Sequence, residues 1–154
     1  MSENPGNKVI NFMSMEFLSV PENVGLSRVV VASFAAQLDM TLNDMEEMKV
    51  ATSEAVSNCI IHGYNNQPIG KVFLAVTLFE NRLEILVTDE GIGIEDIEQA
   101  MEPAFSTDPE RMGLGFVFMK SFMDEVEVES EIGKGTTVKL VKNNPLPKPQ
   151  AGER

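Results

Sequence analysis

The chain has 154 residues, enough for one ordinary domain, and its 24 acidic against 12 basic side chains give a net charge of −12. Such a charge repels phosphate backbones and anionic membranes, so we expect no direct nucleic acid or membrane partner and favour a basic protein partner. Without a signal-peptide pattern at the N-terminus or an apolar run near the ~20 residues of a membrane helix, the sequence predicts a cytoplasmic protein.

The first part of the chain predicts a strand followed by a helix. Residues 1–8 indicate a disordered N-terminus, and the partly alternating NFMSMEFLSV at 11–20 is typical of a strand. Ser19 and Glu22 have the spacing of a capping box. A first helix is therefore predicted from Glu22 to Leu38.

A second helix carries an unusual polar pair. Thr41 and Asp44 predict a capping box at its start. Gly63 predicts that the helix ends just before this glycine. Glu54 and Asn58 lie one turn apart and therefore nearly side by side, flanked by apolar positions. This pair is either a hydrogen-bonded polar contact within the protein or part of a functional site.

The second part of the chain predicts four strands and one substantial helix. The strands are KVFLAVTLF, RLEILVTD, EVEVES and TTVKLVK; the helix is GLGFVFMKSFMDEV, and a shorter one is predicted near 95–101. The order β-α-α-β-β-α-β-β predicts an α+β fold, a two-layer sandwich whose mixed or antiparallel sheet has helices on one face. We expect one domain over residues 9–142 and a flexible tail over residues 143–154.

An acid ends the strand RLEILVTD. The period of two places Asp89 on the same face as apolar residues of the strand, and the sequence EGIG follows. A strand-ending aspartate in a glycine turn is common. The functional alternative is a carboxylate at a pocket floor that accepts a hydrogen bond from an amino group, with Gly91 and Gly93 letting the backbone pass close to a flat ligand.

Two glycines open the helix GLGFVFMKSFMDEV. Exposed backbone N–H groups and the positive dipole end make such a helix start a phosphate site. Gly113 and Gly115 are the candidates, and Arg111 adds a cation able to reach a terminal phosphate. The plainer alternatives are a flexible helix start and a solvated loop arginine.

The polar pair on the second helix suits phosphate chemistry. The Asn58 amide oxygen is a magnesium ligand of the kind that leaves room for water and substrate phosphates. Glu54 is placed to take a proton from an attacking hydroxyl or water.

Together these motifs resemble the GHKL superfamily, the nucleotide-binding (Bergerat-type) fold of histidine kinases, gyrase-type ATPases and heat-shock-90-type ATPases. The helix with Glu54 and Asn58 is similar to its N box, DEGIGI to its first glycine box, and GLGF to its second. GTT at 135–137 resembles the threonine motif of its last strand. The resemblance covers about residues 12–142.

Within that superfamily the chain resembles bacterial anti-sigma factors that are also serine protein kinases. The segments SRVVVASFAAQLD, SEAVSNCIIHGY and SFMDEVEVES carry this similarity, and NCIIHGY is closer to the sporulation sigma-F type than to the general-stress sigma-B type. The only histidine is His62, so no phosphoacceptor histidine hairpin is present. The segment FSTDPERMGLGF is shorter than the family's lid.

The resemblance implies a kinase that binds Mg²⁺ with ATP or ADP, holds a sigma factor inactive and phosphorylates a serine of a STAS-type anti-anti-sigma protein. A homodimer is also implied. The implied site residues are Glu54 as general base with Arg111; Asn58 on magnesium; Asp89, Gly91, Gly93 and Thr137 around the adenine; Thr107, Gly113, Leu114 and Gly115 on the nucleotide; and Arg28 toward protein partners.

Three alternatives stay open. A sigma-B-type kinase has the same chemistry with another partner. A gyrase-type ATPase uses Glu54 to activate water, but normally carries a further transducer domain. A binding module only sequesters its partner and has no need of both Glu54 and Asn58.

Overall fold

The computed structural model describes residues 7–101 and 112–144. The strands are β1 Val9–Leu18, β2 Lys71–Phe79, β3 Arg82–Asp89, β4 Glu125–Glu131 and β5 Gly135–Asn143. The helices are α1 Glu22–Ala35, α2 Leu42–Asn58, α3 Ile97–Ala100 and α4 Met112–Phe122; α2 continues directly into a π-helical turn, Cys59–Gly63. None of the helices in these two ranges is long and apolar enough to cross a membrane.

The strands form one five-stranded sheet in the order β1-β2-β3-β5-β4, and every neighbouring pair is antiparallel. The predicted α+β sandwich is therefore confirmed, with the antiparallel form of the sheet. Alternate residues of β3, from Leu83 to Val87, are fully buried on the inner face. The intervening residues Glu84 and Leu86 lie on the outer face and retain exposed surface.

The helices pack on the inner face. Buried helix residues such as Val31, Met48 and Phe116 join the inner-face strand residues in a single core cluster. Fully burying a side chain of this size contributes about 1.5–3 kcal/mol relative to leaving it in water. This one-sided packing places α2 and α4 above the end of β3, where the candidate residues lie.

One of the two predicted capping boxes is confirmed. Thr41 Oγ1 accepts from the Asp44 N–H at 3.0 Å, and Asp44 Oδ2 accepts from the Thr41 N–H at 3.3 Å. The box predicted at Ser19 is wrong, since Pro21 is the N-cap of α1 and no side chain caps that end. The buried Ser19 hydroxyl instead donates to the Gln67 carbonyl at 2.7 Å, in the loop before β2.

Element ends differ slightly from the prediction. α1 ends at Ala35 rather than Leu38. β5 includes Asn143, whose N–H donates to Asp124 Oδ2 at 2.7 Å, so the ordered strand reaches one residue past the predicted domain end. The remainder of the predicted tail, residues 145–154, and residues 1–6 lie outside the described residues.

Candidate functional site

The π-helical turn brings the end of α2 against the end of β3. Its wider turn is closed by the Tyr64 N–H, which donates to the Cys59 carbonyl at 3.0 Å. Gly63 then lies so close to β3 that a Cβ on it would be 3.0 Å from Asp89 Oδ1. Single π-turns of this kind are frequent at functional sites, and here the turn joins the two halves of a pocket.

A partly open cavity lies at this junction. Its walls come from α2, the π-helical turn, the end of β3 with the following loop, α4 and β5. The lining residues are Ala55, Asn58, Cys59, His62, Gly63, Asp89, Gly93, Ile94, Phe116, Thr136 and Val138. The wall is mostly apolar with a few polar groups, which is the usual composition of a small-molecule site.

Asp89 is the buried acid of this cavity, with 4% of its surface exposed. Its Oδ1 accepts from the Gly91 N–H at 2.8 Å, and the carboxylate also accepts from the Thr136 N–H and the Cys59 thiol. Burial raises the pKa of Asp89, and these hydrogen bonds only partly oppose that rise. The carboxylate is therefore fixed in orientation and has unused acceptor capacity toward the cavity.

Gly91 and Gly93 lie beside the pocket, but the chain itself explains why they are glycines. A Cβ at Gly91 would lie 2.2 Å from the Gly63 carbonyl oxygen. Gly93 has φ +82°, and its Cβ would lie 2.4 Å from the Glu131 carbonyl oxygen. The glycine box is thus required first by close backbone packing between the loop, the π-helical turn and β4.

Glu54, Asn58 and Gly115 meet where α4 crosses α2. A Cβ on Gly115 would lie 3.1 Å from Glu54 Oε2 and 3.3 Å from Asn58 Nδ2, so the absent side chain leaves room for both polar groups. Asn58 Nδ2 is buried and has no hydrogen-bond partner within the described part of the chain. Burial raises the pKa of Glu54, which makes its carboxylate a stronger base.

The threonine at the cavity is Thr136. Thr136 pairs with Asp89 across β3 and β5 and lines the cavity, whereas Thr137 points to the other face of the sheet. There Thr137 Oγ1 lies 3.2 Å from Thr88 Oγ1. The period of two explains this difference, because the GTT motif alone does not say which threonine faces inward.

The remaining predicted residues divide into three groups. Gly113 and Leu114 lie in the first turn of α4. Thr107 and Arg111 fall outside the described residues. Arg28 is exposed on α1, and its Nη1 donates to Ser53 Oγ on α2 at 3.2 Å, so the structure places it beside the helix of Glu54 rather than in the cavity.

Residue-type reasoning did not single out two side chains that hold the pocket together. Cys59 is buried, and its thiol bonds to Asp89. The Tyr64 hydroxyl donates to the Lys71 carbonyl and accepts from the Glu90 N–H, both at 2.7 Å. The available signal was their position within NCIIHGY, where Cys59 directly follows Asn58 and Tyr64 directly follows Gly63.

The donor set fits magnesium only together with a phosphate ligand. No cluster of three or more histidine, cysteine, aspartate or glutamate side chains able to hold a metal occurs among residues 7–101 and 112–144. Asn58 and Glu54 supply one amide and one carboxylate beside each other. Mg²⁺ is commonly held by one or two protein oxygens with water and substrate phosphates, and the Asn58 amide oxygen suits that arrangement.

The chain is similar to known proteins over most of its length. Residues 17–142 match the histidine kinase-like ATPase domain family. Anti-sigma F factors of Thermoanaerobacter sp. (strain X514) and Geobacillus thermodenitrificans (strain NG80-2) are 52% and 50% identical over 134 and 135 residues, 86% of this chain and 93% and 92% of theirs.

A solved histidine kinase domain, from the blue-light activated histidine kinase of Erythrobacter litoralis EL346, is similar with a TM-score of 0.52. It is 18% identical and the match covers 79% of this chain and 59% of that one, which shows a shared fold. The two anti-sigma F factors are far more similar in sequence to this chain than the solved domain is, so they give the more specific family. The chain belongs to the histidine kinase-like ATPase domain family, which implies binding of ATP or ADP, and within that family to the anti-sigma F factors.

Proposed function

We propose that this protein is an anti-sigma factor and a serine protein kinase. It holds a sigma factor of the sporulation sigma-F type inactive in the cytoplasm, and it transfers the γ-phosphoryl group of ATP to a serine of an anti-anti-sigma protein. The kinase assignment rests on one observation: Glu54, Asn58 and Gly115 lie close together. They do so beside a cavity whose floor is Asp89. The relatives named anti-sigma F factor support the sigma-factor partner.

Adenine is the base that Asp89 suits. Its carboxylate accepts hydrogen bonds, and adenine presents an amino donor where guanine presents a carbonyl acceptor. A buried carboxylate facing a carbonyl leaves two acceptors opposed, so the site selects ATP over GTP. Thr136, beside Asp89 on β5, offers a hydroxyl on the same wall.

Asn58 is the residue that would hold magnesium, through its amide oxygen. When bound, the ion neutralises charge on the phosphates. The first turn of α4, with Gly113 to Gly115, supplies backbone N–H groups to the same phosphates.

Glu54 is the general base. As the partner's serine oxygen forms its bond to the γ-phosphorus, the hydroxyl proton passes to the Glu54 carboxylate. The bond from that phosphorus to the β,γ-bridging oxygen breaks, and ADP leaves with the bridging oxygen. The pKa of Glu54, raised by burial, suits this role because it increases the driving force for accepting the proton.

Arg28 is proposed to bind protein partners. It is exposed and one guanidinium nitrogen bonds Ser53, which leaves its other donors for a carboxylate on the sigma factor or the anti-anti-sigma protein. A shared surface makes the two partners compete, and phosphorylation of the serine prevents rebinding. Arg28→Glu should weaken one or both partners, with nucleotide affinity near normal; Lys120→Glu, exposed on α4, is the charge-matched control.

A second copy of the chain is proposed to cover the outer face of the sheet, giving a homodimer. Among residues 7–101 and 112–144, no helix covers this face, which exposes Phe12 by 72% and Leu86 by 39%. Both side chains are on the side of the sheet away from the core. In sedimentation equilibrium, Phe12→Glu should shift the parent's dimer toward monomer.

The experiment that tests the kinase is incubation with γ-labelled ATP, Mg²⁺ and the anti-anti-sigma protein. We expect label on a serine of that protein and none after replacing that serine by alanine. Release of inorganic phosphate without a labelled protein would instead favour a gyrase-type ATPase. Nucleotide binding with neither product would favour a sequestering module, and tight binding of a sigma-B-type factor in preference to sigma-F would change the partner.

A further inference from the structure

The hydroxyl of Tyr64 joins two segments that are far from each other in the chain. It donates to the Lys71 carbonyl at the start of β2 and accepts from the Glu90 N–H just after β3, both at 2.7 Å. Tyr64 is only 8% exposed, so neither bond is replaced readily by water. The hydroxyl thus uses its one proton and a lone pair on two backbone groups at once.

The ring of Tyr64 is held as firmly as its hydroxyl. A Cβ on Gly70 would lie 2.1 Å from ring carbon Cε1, so the ring occupies space that any other residue at 70 would need. The phenol position is therefore fixed by packing on one side and by two hydrogen bonds at its tip.

The hydrogen bond between Tyr64 and Glu90 lies directly beside Asp89, the proposed acceptor for adenine. The Glu90 N–H belongs to the peptide unit that leaves Asp89, and the next contacts along the loop also lead to the π-helical turn. The Ile92 N–H donates to the Gly63 carbonyl at 3.1 Å, and the same carbonyl leaves no room for a Cβ at Gly91. The segment from Glu90 to Ile92 is thus held at alternate residues, by Tyr64 and by Gly63 at the end of the π-helical turn.

We infer that Tyr64 is a positioning residue for nucleotide binding: its hydroxyl fixes the peptide that follows Asp89 and so sets the adenine acceptor relative to Asn58 on α2. This inference rests on the proposed adenine role of Asp89. Tyr64 is not among the residues that line the cavity. It acts by keeping the Asp89 carboxylate in its place before the ligand arrives.

Ser19 provides a matched control for Tyr64→Phe. The buried Ser19 hydroxyl also bridges two backbone groups, donating to the Gln67 carbonyl at 2.7 Å and accepting from the Gly70 N–H at 3.1 Å. It supports the same loop before β2 but makes no bond to the segment after Asp89. Ser19→Ala and Tyr64→Phe therefore remove comparable hydroxyl bridges, and only the second one reaches the proposed adenine site.

The test measures ADP affinity by calorimetry and ATP kinetics for the parent and both variants, at a temperature where all three are folded. Both variants should lower the melting temperature. Tyr64→Phe should weaken ADP about fivefold or more and raise KM for ATP with kcat nearly unchanged, because one peptide next to the acceptor loses its partner. Ser19→Ala should leave ADP affinity within about twofold of the parent.

Equal ADP affinity in Tyr64→Phe and the parent would overturn the inference, as would an equal loss in both variants. Failure of the parent to bind ADP would instead contradict the proposed function. If Tyr64→Phe does not fold, amide exchange in the parent decides: the Glu90 N–H should be protected without nucleotide, and exchange at an unprotected rate would overturn the positioning role.

Discussion

The two ends of the candidate pocket differ in how their polar groups are satisfied. At the proposed adenine end, Asp89 accepts from its neighbours in the loop and in β5, and Tyr64 bonds two backbone groups. At the proposed phosphate end, Asn58 Nδ2 is buried with no partner in the described residues, and Glu54 stands beside it across Gly115.

This difference separates recognition from chemistry. The adenine end is organised by the protein's own hydrogen bonds, so little ordering is left for the ligand to impose. At the proposed phosphate end, the described residues leave Asn58 Nδ2 unpaired, which costs stability; under the proposed function this end receives phosphate, metal and serine. Substitutions at the two ends should therefore fail in different ways.

The largest effect is expected at the phosphate end. Glu54→Gln keeps the size of the side chain but removes the proton acceptor, so phosphoryl transfer should fall about 10²–10⁴-fold. ATP and sigma-factor binding should stay close to those of the parent. Single-turnover transfer to the anti-anti-sigma protein checks this, and transfer at the parent's rate would remove Glu54 from the base role.

A smaller effect is expected on ADP binding, and its dependence on Mg²⁺ should differ between substitutions at the two ends. Asp89→Asn can present an NH₂ where the carboxylate accepted a bond, so ADP binding should weaken by about 1–3 kcal/mol with or without Mg²⁺. Asn58→Ala should weaken only the part of ADP binding that depends on Mg²⁺. Calorimetry with and without Mg²⁺ measures both variants, and an unchanged magnesium dependence in Asn58→Ala would contradict the ligand assignment.

Close packing at the proposed adenine end can be tested by replacing one glycine there and one glycine elsewhere for contrast. Gly91→Ala forces a Cβ to within 2.2 Å of the Gly63 carbonyl oxygen, and should cost about 1–3 kcal/mol of unfolding free energy. Gly25→Ala lies inside α1 with its nearest neighbour 3.9 Å away, and should stabilise the protein by about 0.5–1 kcal/mol. Denaturant titration of both variants measures the contrast, which two changes of the same sign would contradict.

The smallest expected effect is a pH dependence of stability from Glu54. Its folded pKa is raised above the ordinary value of 4.5 by burial. The stability linked to its protonated form is therefore full below that value and lost as the pH rises through the folded pKa. Glu54→Gln does not titrate, so its unfolding free energy relative to the parent should rise as the pH increases from 4.5 through the folded pKa of Glu54.

Chemical denaturation at several pH values gives this difference directly. Asp89 also has a raised pKa, but it is present in both proteins and cancels in the comparison. A relative stability that stays flat or falls toward neutral pH would show that ionised Glu54 is compensated by partners, and the contrast between the two ends would weaken.

Local patterns in the sequence predicted most of the fold and which side chains lie close together at the candidate site. Strand alternation placed Asp89 inward with Leu83, Ile85 and Val87, and the structure buries all four. Helical spacing placed Glu54 beside Asn58, and both lie against Gly115. These outcomes follow from periods of 2 and 3.6 residues, which any chain that forms a strand or a helix must obey.

Contacts between distant segments were decided only by the tertiary structure. Ser19 has the spacing of a helix cap, yet its hydroxyl bonds the loop before β2, because that loop crosses the end of β1. Tyr64 joins β2 to the turn after β3, and Thr136 rather than Thr137 faces Asp89. Such pairings depend on strand register and on the π-helical turn after α2, and neither is specified by residue spacing within one segment.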